Sequence, residues 1–367
     1  GLARAVAGLQ APIAGFLVQR FGARLMVVIG GAIGASGFLV LSLINDYLTF
    51  LLAFLGMVAL GFSGGFDQAI LGSPTRWFIR QRSRAMSLVL IGPSLGGALV
   101  APIIGLLVIN VGWRSTALIS GLAIYALLIP ASIIVRGFPE ELGLVPDGGI
   151  GSGNDQTGEA RKGQGKGVLS EVNITPGQGL RMPAFWILAF AMGLRVSAYM
   201  GLIIHFVPIV IWKGQTETAA ALLISVYGIT AIVVRIGAGF VGDYFSKQSM
   251  ATYTILLGCL TLIGLLLSSG SLWQLVLLVG LLALADSSSV PAFAFAGDLL
   301  GRRAFAVLLG IMMTIFSVLS AMTPIVTGII FDYTGTYMGA LIMLAAMYGA
   351  GALLFRLIPI PGGTTLP

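Results

Sequence analysis

The stretch from Ala14 to Arg24 (Ala-Gly-Phe-Leu-Val-Gln-Arg-Phe-Gly-Ala-Arg) returns in degenerate form between Ala238 and Gln248 as Ala-Gly-Phe-Val-Gly-Asp-Tyr-Phe-Ser-Lys-Gln. Each copy closes a Gly-rich apolar stretch and turns it polar and basic. A repeat at more than half the chain's length constrains the fold to two related helical bundles, with any site between them.

Composition sets the medium. Of 367 residues, 57% are hydrophobic and 9% charged, and the mean hydropathy is +1.02. A water-facing surface needs more charge than that, and apolar runs of about 18 residues or more are candidate membrane spans. The pattern predicts an all-α membrane protein with helices at roughly 3–19, 25–44, 48–75, 85–110, 114–135, 184–212, 217–241, 249–268, 272–297, 305–331 and 337–357. Glycine, at 52 residues, is far above the usual ~7%. Gly30-x-x-x-Gly34, Gly61-x-x-x-Gly65 and Gly92-x-x-x-Gly96 have the spacing for close helix contact. The lone Cys259 supports neither a disulfide framework nor a cysteine metal cluster, and no phosphate-binding loop is present. Neither cofactor nor metal is expected.

The net charge of +7 is a topology signal rather than a nucleic-acid footprint. Alternate connections hold Arg20 and Arg24; Arg76, Arg80, Arg82 and Arg84; Arg136 to Arg181; Lys247; Arg302 and Arg303; and Arg356. The opposite connections hold only Arg114 and Lys213. By the positive-inside rule the first set is cytoplasmic, in a multi-pass plasma (inner) membrane protein. Trp77, Trp113, Trp186, Trp212 and Trp273 fall at expected helix ends, as an interfacial belt requires. Residues 136–183 contain Gly-rich linker composition. The expected organisation is therefore a first bundle at 1–135, a cytoplasmic linker at 136–183 and a second bundle at 184–358. The repeat offset places the counterpart of the 184–212 helix before Gly1, so eleven helices of an expected twelve are present. The chain is expected to act as a monomer.

The loops then resemble the major facilitator superfamily, whose signature joins helices 2 and 3. Gly15, Arg20, Gly22 and Arg24 match it, with Gln19 in place of the usual Asp; in the second half Gly239 and Asp243 are kept and Tyr244 replaces an Arg. The resemblance implies a gating loop that pins helix ends on the cytoplasmic face, weakened at Gln19. Trp77-Phe78 with Arg80, Arg82 and Arg84, then Gly112-Trp113-Arg114, the run from Pro139 to Gly148, and Phe185-Trp186 after Pro183 resemble the monocarboxylate transporter and oxalate/formate antiporter branch. That likeness implies alternating access and a small organic anion as partner. Gly92-Pro93-Ser94-Leu95-Gly96-Gly97 is similar to a motif of antiporter members, whose physics is a bend with close helix contact.

Ionisable groups at membrane depth are costly, so each is a functional candidate. These are Arg4, Asp67, Arg195, Arg235 and Asp286, with His205 the single histidine. At ~1.5 Å per residue, Arg195 lies about 16 Å and Asp286 about 21 Å into helices that run in opposite directions, so they meet as a pair or flank a substrate. Arg235, ~12 Å above the loop at Asp243, occupies the position of the branch's substrate-binding Arg; the acid that branch often places four residues earlier is Ala231 here. Guanidinium stays charged and forks onto carboxylates, which makes Arg195, Arg235 and Asp286 the substrate-binding candidates. Asp67, His205 and Arg4 are candidates for proton coupling or ion pairing. The bland alternative is internal pairing, Arg195 with Asp286 and Arg235 with Asp67. The readings of function are a secondary carrier for a monocarboxylate-like anion, proton-coupled or exchanging, and an efflux antiporter for amphipathic or drug-like solutes. An intramembrane protease built on Ser63 and His205 is the enzyme alternative; it requires those two side chains to meet.

Overall fold

The computed structural model describes residues 2–79, 81–137, 139, 144 and 174–359, with only the backbone described at 2–5, 67, 68, 98, 101 and 303. Most of the expected linker, at 145–173, lies outside the described residues. So do the side chains of Arg4 and Asp67.

Every regular element among the described residues is helical. The long helices of the first half are α1 (Leu2–Phe21), α2 (Ala23–Leu41), α3 (Tyr47–Trp77), α4 (82–111) and α5 (113–134). A short α6 (Pro176–Arg181) precedes α7 (Pro183–Ile204, continued by Phe206–Trp212), α8 (Glu217–Val241) and α9 (Lys247–Leu267). The chain ends with α10 (Leu272–Asp286, resuming at 289–300), α11 (Ala304–Thr334) and α12 (Met338–Arg356). The eleven long helices fall where hydrophobic runs placed them. Three differences have local causes. The expected linker contains α6, nucleated by Pro176 at its first position and by a capping box in which Thr175 and Gln178 satisfy each other's backbone. Helix α7 is interrupted at His205. Helix α10 is interrupted at Ser287-Ser288, at membrane depth.

Two uses of glycine shape the first half. Gly22 has φ +85°, and the same left-handed turn at Gly112 and Gly301 lets one residue reverse the chain between two helices. Gly30 and Gly34 of α2 face Gly61 and Gly65 of α3 so closely that a Cβ on Gly30 would come 2.5 Å from the Gly61 carbonyl oxygen. Lipid offers no hydrophobic drive for helix association, so this contact rests on close backbone packing. The third spacing, Gly92 and Gly96, has open space instead.

The two halves meet chiefly along two helix pairs. Helix α1 packs on α11, with Gly15 against the backbone of Ala306 and Val307, and Thr314 Oγ1 donating to the Gly8 carbonyl at 2.7 Å. Helix α8 packs on α4, with Gly239 against Ser87. At the end opposite the basic loops, the two stray cations cap helix termini at repeat-equivalent places. Arg114 donates to the Ile44 carbonyl (3.1 Å) and Asn45 Oδ1 (2.8 Å) beyond α2. Lys213 donates to the carbonyls of Leu266 (3.0 Å) and Ser268 (2.9 Å) at the end of α9; burial pushes its ammonium below the usual lysine pKa. Both satisfy carbonyls that a helix terminus leaves without donors.

Candidate functional site

Helix α10 breaks where it carries its acid. Asp286 ends the first segment, and Ser287, Ser288 and Ser289 follow, all buried. Serine competes for backbone groups and so suits an interruption: Ser287 Oγ donates to the Leu284 carbonyl (2.6 Å) and Ser289 Oγ to the Asp286 carbonyl (2.9 Å). The break leaves the Asp286 carbonyl free to accept from outside the helix.

Two arginines converge on this point. Asp286 is 2% exposed and Arg195, from α7, 7% exposed. Arg195 Nη2 pairs with one carboxylate oxygen of Asp286 and donates to its main-chain carbonyl at 2.6 Å, while Nε donates to Ser288 Oγ at 3.1 Å. Its guanidinium lies 5.9 Å from the centre of the Tyr199 ring, which in turn lies 6.3 Å from that of Tyr227. Arg235, from α8, pairs through Nη2 with the other oxygen of Asp286. Its Nη1 reaches into the first half, donating to Ser94 Oγ (2.6 Å) and the Leu90 carbonyl (3.2 Å) on α4. Arg235 Nε is buried with no hydrogen-bond partner among the described residues. Among the described residues one carboxylate thus serves two guanidiniums, which leaves one positive charge in excess there and the Arg235 Nε without a partner. A buried ion cluster of this kind stands only because its charges are shared; stripping one partner from a buried pair costs about 3–5 kcal/mol.

The structure therefore brings together Arg195, Arg235 and Asp286. Arg235 binds Asp286; Asp67, the partner offered by the bland alternative, has its side chain outside the described residues. Position 231, one turn before Arg235, is a small buried Ala, and the carboxylate beside Arg235 comes from α10. His205 joins a different group: its Nε2–H donates to the Pro324 carbonyl (3.0 Å) and Nδ1 accepts from the Tyr337 hydroxyl (3.2 Å). Ser63 Oγ donates to the Ala59 carbonyl at 2.5 Å and contacts Gln10 Nε2. Ser63 and His205 thus have separate partners in separate halves, and the protease constellation is not formed.

The repeat loops lie at the basic end. Arg20 and Arg24 are exposed, and among the described residues neither forms an ion pair; Arg20 lies over the Phe21 ring (5.5 Å). The second copy does bind across the halves. Asp243 accepts from the Ser83 backbone N–H (3.0 Å) at the start of α4 and pairs with Arg84 Nε (3.2 Å). Asp298 pairs with both Arg82 and Lys247 (2.6 Å to the latter), and Arg302 donates to the Arg76 carbonyl at 2.5 Å. Sequence reasoning had counted these arginines as topology markers and had passed over Asp298, which sits near a helix end like any solvated acid. Replacing Asp243 by Asn removes the Arg84 pair and weakens the bond to Ser83. It is expected to weaken this contact between the halves by about 1–2 kcal/mol, a roughly 5–30-fold shift in how often the contact is open. Thiol-reagent labelling of Ser87→Cys, at a position buried against Gly239 in this structure, checks this; an unchanged labelling rate would show that Asp243 does not hold the halves together here.

Comparison with known proteins agrees with this architecture. The sequence profile described as Major Facilitator Superfamily matches residues 3–214. Monocarboxylate transporter 11 of Homo sapiens is 26% identical over 373 residues, covering 98% of this chain and 73% of the relative. Among solved structures, the human organic anion transporter MFSD10 (TETRAN) has TM-score 0.73 at 14% identity, covering 96% and 82% of the two chains. The E. coli fucose:proton symporter FucP has TM-score 0.68 at 17% identity, covering 98% and 90%.

Proposed function

Because the chain belongs to the Major Facilitator Superfamily and is thereby a membrane transporter rather than an enzyme, we propose that it moves a small, monocarboxylate-like organic anion by alternating access. The observation that supports this reading best is the cluster at the meeting of the halves, where two guanidiniums share one carboxylate. A carboxylate entering there meets an uncompensated positive charge in a medium of low dielectric, and a guanidinium with an unused N–H. The name of the relative, a monocarboxylate transporter, points the same way.

In this proposal the bundles are 1–135 and 184–358, joined by a cytoplasmic linker at 136–183, and the basic end faces the cytoplasm. Asp243, Asp298 and their partners then hold the cytoplasmic side shut, so the cluster is reached from outside. Arg195 and Arg235 neutralise the anion. Asp286 holds them while the site is empty and takes a proton, or yields to the anion, when it fills. The protein works as a monomer in the plasma (inner) membrane.

The test is uptake by the full-length protein in proteoliposomes, using radiolabelled lactate, pyruvate and related monocarboxylates at two pH values. Saturable uptake of at least one supports the proposal. Export of an amphipathic dye with no carboxylate uptake would replace it with the efflux reading.

A further inference from the structure

Helix α4 reaches the charge cluster at its weakest turn. Pro93 has no N–H to offer the carbonyl four residues back, and the residues just beyond, Gly96–Val100, wind as a π-helix. Between these two irregularities Ser94 presents its hydroxyl to Arg235 Nη1, and Leu90, one turn before Ser94, presents its carbonyl to the same nitrogen. They are the bonds through which the first half touches the cluster among the described residues. All other groups bonded to Arg195, Arg235 and Asp286 come from the second half.

We infer that Ser94 is a positioning residue that braces Arg235 across the two halves while the site is empty, and that an arriving anion releases the brace by taking Nη1. The inference rests on the reading of Arg235 as an anion-binding residue. A carboxylate binds guanidinium most strongly through two parallel N–H groups. Asp286 already holds Nη2. To fork, the anion takes the unpartnered Nε together with Nη2, or Nη1 together with Nη2. The second fork requires that Asp286 share or yield Nη2 and that Nη1 leave a neutral hydroxyl and a carbonyl, which are weaker acceptors than an ionised carboxylate; this is the fork the anion takes. Because those acceptors belong to the other half, filling the site removes a bond that holds the halves in this arrangement. Ligand binding is thereby tied to the freedom to rock, as a ligand shifts a population only by binding one state better than the other. Two consequences follow for Ser94→Ala: the anion meets less competition, and the empty carrier loses a brace.

The experiment combines a ligand-free readout with a transport one. Spin labels at Phe21→Cys and Phe245→Cys, both exposed at the basic end on opposite halves, are placed in a Cys259→Ser background in lipid nanodiscs. Without any anion, Ser94→Ala should enlarge the long-distance population severalfold, and Ser94→Thr, which keeps a hydroxyl, should match the parent. With radiolabelled pyruvate, Ser94→Ala should lower KM and reduce the stimulation of uptake by pyruvate on the far side, since empty return is no longer slow. Unchanged distances in Ser94→Ala would overturn the inference. So would a Ser94→Thr variant as open as the Ala one, which would mark a packing effect. Arg235→Gln separates the two levels. If it transports normally, the anion-site reading fails; if it is inactive while Ser94→Ala keeps the parental distances, only the role of Ser94 fails.

Discussion

Arg235→Gln and Arg195→Gln are each expected to abolish the proposed carboxylate uptake while the protein still inserts and assembles in the membrane. Glutamine keeps hydrogen-bonding capacity at similar length and removes the charge, so the loss measures electrostatics rather than shape. Truncating one member of a buried charged pair costs about 2–5 kcal/mol, which is roughly a 30-fold to several-thousand-fold fall in affinity. The two variants differ in kind. Arg195 is held by the Asp286 carboxylate, its backbone carbonyl and Ser288, so every strong bond it makes is internal. Arg235 has a fully buried Nε with no hydrogen-bond partner among the described residues and also reaches across to the first half. Arg235→Lys should therefore retain a little uptake, because charge remains but the planar fork is gone. The measurement is initial uptake in vesicles, normalised to incorporated protein. Wild-type rates in both Gln variants would remove the anion proposal.

What the sequence made legible is the vertical coordinate. Rise per residue places Arg195 and Asp286 at overlapping depths on helices of opposite direction, and the structure pairs them. The horizontal coordinate was not legible, because a helix drawn from hydropathy has height but no azimuth. Depth alone leaves Asp67 and Asp286 both open as partners for Arg235, and the contact with Asp286 appears only in three dimensions. Ser94 and Ser288 were missed for a related reason: small hydroxyl residues raise no hydropathy signal, and their value appears only when a helix breaks or bends beside a guanidinium. The three consecutive serines after Asp286 are the signal that was available, since such a run in a membrane helix sits awkwardly with a continuous ladder. The repeat loops show the opposite case. Their positions were evident, but only the second copy has an acid to bind with, since Gln19 stands where Asp243 stands in its twin.

Asp286→Asn is expected to separate transport from pH. With Asp286 ionised, both guanidiniums are occupied by an internal carboxylate that competes with the substrate. In the proposed mechanism a proton on Asp286 frees them, so uptake by the parent protein is expected to rise as the pH on the substrate side falls. Asn resembles the protonated form permanently: it offers a carbonyl oxygen and an amide in place of two charged oxygens. The variant should exchange one anion for another at a rate that no longer responds to pH. It should also lose the roughly tenfold accumulation that a gradient of one pH unit supports in one-to-one coupling. Both quantities come from the same vesicles, loaded or empty, with and without a pH step. If accumulation persists in Asp286→Asn, the coupling proton is carried elsewhere and Asp67 becomes the acid to replace next. If exchange is also lost, the carboxylate is needed to hold Arg195 and Arg235 in place, and the cluster is a structural ion pair before it is a proton site.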